Sequence, residues 1–158
     1  MNSHYISVIT KCMDQKIVLL QKFKEITEKI IESDFETLTK LIAERQVVIN
    51  DIDKKTEKIK KVISEQPEKE AAILEQLVKF QKIECVDEYI PVKEKAGEIE
   101  ALLIEISEHE KDVRVKMDDI KKNLAEDMLK SNKSRKVIDY CNSLATFSSN
   151  GTNFNSLS

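Results

Sequence analysis

Residues 30–52 read IIESDFETLTKLIAERQVVINDI, and the organisation of the chain can be inferred from this stretch. The apolar pattern lapses through residues 32–34 and resumes at Phe35. Ser33 can accept a hydrogen bond from the backbone N–H of Glu36, and the Glu36 side chain can reach back to the Ser33 N–H, which makes a capping box. The lapse therefore predicts a helix boundary. Because the connection is so short, the helices on either side are expected to be antiparallel neighbours.

Apolar residues at three- and four-residue steps continue the helical pattern in both directions. Pro67 suits the first turn of a helix, where its missing N–H is not needed. Pro91 breaks or kinks the chain, so the last segment is expected to lie along the hairpin, although one long kinked helix that overhangs it is the alternative. The helices are predicted at about 3–32, 34–64, 67–90 and 92–130.

The composition favours helices throughout. The 158 residues include 2 glycines and 2 prolines, and 35% are charged whereas 5% are aromatic, so helix formers dominate and breakers are rare. We therefore predict an all-α protein: an antiparallel helical hairpin plus a long kinked third/fourth helix, forming an elongated bundle over residues 1–141. Residues 142–158 contain no charged side chain and are expected to form a disordered polar tail.

The charge balance argues against nucleic acid as a partner. The net charge is −3, and the 26 Lys+Arg and 29 Asp+Glu residues are interspersed, so there is no broad basic field. No apolar run approaches the length that a membrane span needs, and the N-terminus does not resemble a signal peptide. Three widely spaced cysteines fit a reducing compartment, so we expect a cytoplasmic protein without membrane insertion. The one basic patch, interpreted as a solvated helix end, is Lys130, Lys133, Arg135 and Lys136.

The sequence lacks the usual arrangements for catalysis. A di-iron bundle needs Glu-x-x-His motifs, but neither His4 nor His109 follows a glutamate by three residues. There is no glycine-rich phosphate loop, and no histidine spacing supports a cysteine nucleophile. We therefore expect no enzyme activity, no catalytic residue, no metal site and no cofactor.

Three polar residues interrupt the apolar stripes. Lys16 is expected to lay its aliphatic stem over apolar surface with its ammonium in water. Arg45 would be costly if buried in isolation. Either its head reaches the surface and meets Glu105 or Glu108 of the fourth helix, or a partner covers this part of the face. His109 is expected to be partly buried and hydrogen-bonded.

The order of several motifs along the chain resembles that of a known family. An acidic helix boundary is followed by a leucine stripe and Arg-Gln, and the last helix leads into a basic run, a tyrosine and a polar tail with a late phenylalanine. This order is similar to that of FlgN/FliT-type flagellar type III export chaperones over about residues 5–154. The matching stretches are Ser33-Asp34-Phe35-Glu36-Thr37-Leu38, Leu41-Ile42, Arg45-Gln46-Val47-Val48-Ile49, Leu103-Ile104-Glu105-Ile106, residues 124–127, Lys133-Ser134-Arg135-Lys136, Tyr140 and Phe154.

The resemblance implies a cytoplasmic flagellar export chaperone. Such a protein binds the terminal amphipathic segment of a hook-associated or filament-cap protein and delivers it to the type III export gate. A helical hairpin with one further helix offers an apolar groove, into which a disordered segment can fold as an amphipathic helix. The client stays open, because residues 109–112 (HEKD) replace the asparagine pair often found in chaperones of hook-associated proteins.

The same resemblance suggests contact residues. Tyr140 is a candidate for contact with the export apparatus, or it caps the last helical turn. A homodimer or the chain's own tail could cover the groove in the absence of client. The alternative function is a self-associating helical scaffold. The residues whose exposed members are expected to bind the client are Leu102, Ile106, Val113, Met117, Ile120 and Leu124.

Overall fold

The computed structural model describes residues 3–129 and 140–144, and these are almost entirely helical, with no strand among them. The all-α prediction is confirmed. Residues 140–144 form one further helical turn after a gap in the description. The principal elements are α1 (Ser3–Glu32), α2 (Phe35–Ser64), α3 (Glu68–Val78), a 3₁₀ helix (Asp87–Tyr89) and α4 (Ile90–Met128).

The central element of the bundle is α1. It packs against both α2 and α4 along their lengths, whereas α2 and α4 have little direct backbone contact with each other. The much shorter α3 packs against α2 and α4. Since α1 and α2 each contain 30 residues, the bundle is about 45 Å long at this pair. The core is a continuous apolar seam that includes Ile9, Leu20, Phe23, Ile52 and Ile106.

The boundary between α1 and α2 lies where the sequence predicts it, but Asp34 rather than Ser33 is the N-cap. The Asp34 carboxylate accepts a hydrogen bond from the Thr37 backbone N–H at 2.9 Å. Ser33 instead donates its hydroxyl to the Ile30 carbonyl at 2.8 Å and so helps to end α1. Both residue types can satisfy free backbone groups at a helix end. Here Ser33 does so at the end of α1 and Asp34 at the start of α2.

The third helix is shorter than predicted, because it ends at Val78 and not near residue 90. Phe80 adopts a left-handed conformation with φ of 67°. Its N–H bonds to the Leu77 carbonyl, and the Gln81 N–H bonds to the Gln76 carbonyl, which together make a Schellman motif. Phe80 occupies the position that glycine usually takes. The helical spacing of apolar residues continues through this turn, so the sequence pattern conceals it.

Pro91 lies inside the first turn of α4, and the preceding break is at residues 79–86. A proline in the first helical turn costs no hydrogen bond, because the N–H there has no partner in the helix. The predicted break between the third and fourth segments therefore exists, but about ten residues earlier in the chain. It lets α4, which contains 39 residues, lie along α1, which contains 30.

The end of the chain is described only in part. Residues 142–144, predicted as the start of a disordered tail, belong to the helical turn at 140–144. The rest of the predicted tail, 145–158, lies outside the described residues, as does the basic cluster at 130–136. In the part that is described, none of the helices is both long and apolar enough to cross a membrane.

Candidate functional site

The helices α2 and α4 meet over α1 along a shallow groove whose centre is closed, because Leu20, Phe23 and Thr27 of α1 beneath it have no exposed surface. Its walls are two rows of side chains at seven-residue spacing, which places the members of each row on one side of their helix. Buried residues of α1 at three- and four-residue steps form the floor. We call this feature the α2–α4 groove, and it is defined by Ile42, Ile49 and Thr56 of α2, Leu103, Glu110, Met117 and Leu124 of α4, and Lys16, Leu20, Phe23 and Thr27 of α1.

A buried ion pair crosses the groove near its middle. The Nη2 atom of Arg45 in α2 donates to Oε1 of Glu110 in α4, and the two side chains are 1% and 5% exposed. The Arg45 guanidinium also lies over the Phe23 ring, with its carbon 4.6 Å from the ring centroid, in a cation–π contact with the floor. One side chain thus connects all three long helices.

The predicted surroundings of Arg45 were only partly correct. The partner is a carboxylate of the fourth helix, but it is Glu110 rather than Glu105 or Glu108, and the guanidinium does not reach the surface. Burial raises the pKa of Glu110 and lowers that of Arg45, and the attraction between them opposes both shifts. Because the protein's own helices cover Arg45, its charge does not mark a surface for a partner.

At one end of the groove, α3 and the turn after it close over a cleft of about 400 Å³. We call it the Lys16 cleft. Lys16 was expected to extend to the surface, but the residue is only 3% exposed. Burial lowers the pKa of its ammonium to about 8. The apolar walls of the cleft are Met13, Ile59, Ile63, Val78, Phe80 and Ile99.

At the other end of the groove, residues 140–144 pack onto the start of α2. The Tyr140 ring meets the Phe35 ring edge-on with centroids 5.7 Å apart, and its hydroxyl donates to Oγ1 of Thr39. Cys141 and Leu144 are buried. Tyr140 therefore attaches the end of the described chain to α2 instead of capping its own helix.

The six predicted client contacts fall into two groups. Ile106, Val113 and Met117 are buried against the protein's own helices and form part of the core. The other three, Leu102, Ile120 and Leu124, are half-buried at the edges of α4. A client could reach these three without any opening of the bundle.

His109 is half-buried, as predicted, and its Nε2 atom lies 3.2 Å from Oε1 of Glu28 in α1; the predicted hydrogen bond stays a prediction. The pair lies on the flank between α1 and α4, away from the groove. Within residues 3–129 and 140–144, no group of three or more His, Cys, Asp or Glu side chains is placed to hold a metal ion.

Two half-buried residues of α2, Ile42 and Ile49, were missed as candidate contacts, as was Leu103 of α4. Their spacing to Thr56 and Glu110 could have identified them. The seven-residue spacing identifies groove residues only when it is known that α2 and α4 face each other over α1. The periodicity of a single helix cannot show which helix lies opposite.

Comparison with known proteins adds no relative to this description. The chain matches no family model, and neither the search of curated proteins nor that of solved structures gives a significant match.

Proposed function

We propose that this chain is a flagellar export chaperone of the FlgN/FliT type. It binds the terminal amphipathic segment of a hook-associated or filament-cap protein in the α2–α4 groove and delivers it to the type III export gate. The proposal draws on the motif order described above and on the shape of the bundle, in which two long helices flank a third and have little direct backbone contact with each other.

The observation that carries the proposal is the pair of half-buried apolar edges on the groove. Ile42 and Ile49 line the α2 side, and Leu103 and Leu124 line the α4 side. An amphipathic helix binds such a groove through residues at i, i+3, i+4 and i+7. Of the predicted contacts, Ile120 lies about one turn before Leu124 on α4, whereas Leu102 lies seven residues before His109, on the flank away from the groove.

The buried ion pair in the middle suits a carrier. Arg45 and Glu110 hold α2 and α4 together in the middle of the groove, so its half-buried edges are in place before a client arrives. A preformed groove lowers the ordering cost of binding on the chaperone side, and only the client segment must fold. Coupled folding of the client keeps the complex reversible, as delivery to an export gate requires.

The test is co-expression with the C-terminal segments of the hook-associated and cap proteins from the same genome. Wild-type protein is expected to co-purify with one of them as a stoichiometric complex. If no segment forms a complex, the proposal is wrong.

Matched variants locate the interface on such a complex. Ile49→Lys and Leu124→Lys place charges on the two walls of the groove and should weaken client binding at least about tenfold, since one buried aliphatic contact carries over 1.4 kcal/mol. The controls Val47→Lys and Val115→Lys lie on the outer faces of the same helices, where both valines are 59% exposed. Equal losses in groove and control variants would contradict the assignment of the groove.

The alternative function, a self-associating scaffold, has some support from the exposed end of α4, where Leu129 is 91% exposed and Met128 is 38% exposed. The other large exposed apolar residues on α1, α2 and the middle of α4 are single, as is normal for a monomer. Light scattering over a range of concentrations separates the two functions. A carrier stays monomeric or dimeric, whereas a scaffold forms larger species.

A further inference from the structure

The Lys16 cleft has apolar walls and a cationic side. Met13 and Ile99 line it from α1 and α4, Ile59 and Ile63 line it from α2, and Phe80 closes it from the turn after α3. In the described part of the chain, three lysines and one glutamate also line it, which gives a formal excess of positive charge. The lining charged residues are Lys16, Lys60, Lys79 and Glu75.

Lys16 is the unusual member of this set. The residue is 3% exposed, and within the described chain the charges that act on its ammonium do so without a hydrogen bond to it. Asp53 of α2 is close enough to act on its charge, but Lys60 of the same helix opposes that effect. An ammonium that is largely desolvated and has no paired carboxylate is costly, and Lys16 lines the cleft, where a ligand could supply the missing charge.

We propose that the Lys16 cleft binds an unbranched aliphatic carboxylate, with the head group on the Lys16 ammonium and the hydrocarbon chain along Met13, Ile59 and Phe80. The ligand carboxylate supplies the counter-charge that the protein does not, and the chain fills the apolar part of the cleft. This site lies at the α3 end of the α2–α4 groove and shares Lys16 and Thr56 with it, but the inference does not rest on the proposed chaperone function.

The size and walls of the cleft favour this occupant over others. A volume of about 400 Å³ is near the lower end for small-molecule sites, which suits one hydrocarbon chain better than a two-chain lipid. A peptide helix with side chains is about 10 Å across and 5.4 Å in pitch, so a single turn would already take up roughly the whole volume of the cleft. Small inorganic anions would leave the apolar walls unfilled, and neutral hydrocarbons would leave the Lys16 charge unpaired.

The first experiment is calorimetric titration of the full chain with octanoate, decanoate and dodecanoate, below the concentrations at which they form micelles. Each added methylene should raise the affinity about fourfold, because burial of one CH₂ contributes about 0.8 kcal/mol. The affinity should stop rising when the cleft is full. Absence of binding by all three carboxylates would overturn the proposal.

Two comparisons assign the head-group contact. Dodecanol has the same hydrocarbon chain without a charge and should bind wild-type protein at least tenfold more weakly than dodecanoate. Lys16→Met should remove this preference for the carboxylate, whereas Lys58→Met, which removes an exposed lysine from α2, should leave it unchanged. Equal affinities of wild-type protein for the acid and the alcohol would show adsorption to apolar surface and would overturn the proposal, even if Lys16→Met failed to fold.

The affinity should also depend on pH. The Lys16 ammonium loses its proton near pH 8 in the free protein, so dodecanoate affinity should fall as the pH rises above that value. The other charged groups that face Lys16 or line the cleft are Asp53 and Lys60 of α2, Glu75 of α3 and Lys79 of the following turn. Because Lys16→Met retains all four, the same fall in affinity in that variant would contradict a head-group contact to Lys16.

Discussion

Arg45 and Glu110 place two opposite charges inside a seam that is otherwise mainly apolar. Taking both groups out of water is costly, and their mutual attraction, together with the Phe23 ring, offsets that cost. Their contribution is therefore expected to lie in the spacing of α2 and α4 more than in net stability. Removal of one partner of the ion pair and removal of both should therefore change the free energy of unfolding by very different amounts.

We predict that Glu110→Gln lowers the free energy of unfolding by about 3–5 kcal/mol, because it leaves the Arg45 charge buried without its carboxylate. The double variant Arg45→Met/Glu110→Leu should be close to wild type or more stable, since similar volumes fill the site without a charge. Urea denaturation followed by circular dichroism measures both. A double variant as unstable as Glu110→Gln would show that the ion pair has a large net stabilising effect.

Lys16 presents the opposite case, because its charge has no buried partner. Its pKa falls from 10.5 in the unfolded chain to about 8 in the folded protein. Below pH 8 the folded state carries the full cost of the buried charge. As the pH rises from 8 to 10.5, the folded protein releases the proton before the unfolded chain does, so stability increases across this interval.

We therefore predict that Lys16→Met raises the free energy of unfolding at neutral pH by about 1–3 kcal/mol, in the absence of ligand. The difference from wild type should shrink as the pH rises from 8 to 10.5, the interval between the two pKa values. Denaturation with urea at several pH values tests this, with Lys58→Met as the surface control. A loss of stability in Lys16→Met at neutral pH would show that the folded protein satisfies the ammonium in another way.

Among the helices, the end of α1 depends on a residue of α4. The Lys116 Nζ atom donates to the Ile31 carbonyl at 3.0 Å, to the Ser33 carbonyl and to the Ser33 hydroxyl. These carbonyls lie at the C-terminal end of a helix, where the backbone dipole also favours a cation. The contact fixes the position of α4 along α1, and burial lowers the pKa of Lys116 as a consequence.

We predict that Lys116→Met destabilises the protein by about 1–2 kcal/mol, since it leaves these α1 acceptors without their charged donor. Lys122→Met removes an exposed lysine from the same helix and should be close to neutral. Thermal unfolding compares the two variants. Equal melting temperatures would mean that water replaces the ammonium without cost.

In the molecule as a whole, residues 140–144 connect the end of the described chain to the first turns of α2. The contacts are the Tyr140 ring against Phe35 and the burial of Cys141 and Leu144. This arrangement makes the accessibility of the three cysteine thiols a measure of how firmly the bundle is closed. Cys12 and Cys141 are buried, whereas Cys85 is half-buried beyond the end of α3.

We predict that iodoacetamide modifies Cys85 first in the native protein and that Cys141 reacts at least roughly tenfold more slowly, because a local opening free energy of 1.4 kcal/mol gives that factor. Burial also raises the pKa of the Cys141 thiol, which lowers the fraction of reactive thiolate. Mass spectrometry of the alkylated peptides over time provides the rates. The Leu144→Asp substitution should accelerate the alkylation of Cys141 and leave Cys12 protected. Equal acceleration of the alkylation of both thiols would indicate that the whole bundle opens more often.

Much of the architecture can be inferred from local rules. The helix boundary near Ser33 and the start of α3 after Pro67 follow from capping and from proline chemistry, which act within a few residues. The premature end of α3 could not be inferred, because Phe80 takes a left-handed conformation without a glycine and in the middle of a helical apolar pattern. Tertiary contacts override local preference there.

The candidate site was inferred less completely than the fold. Periodicity along α4 identified an apolar stripe but could not separate Ile106, which α1 covers, from Leu124, which remains half-buried at the groove edge. Both residues have the same pattern around them. Their exposure depends on where the neighbouring helices end.

Residue order along the chain thus accounts for the all-helical class, the hairpin, the presence of a third and fourth segment and the unusual placement of Arg45 within a stripe, because each depends on contacts within a few turns. Packing in three dimensions selected Glu110 as the partner of Arg45, brought Lys16 into a cleft and placed residues 140–144 on α2. These contacts are made between residues that are distant in sequence. Their free energies depend on burial, and the burial is set only when α2 and α4 come together on α1.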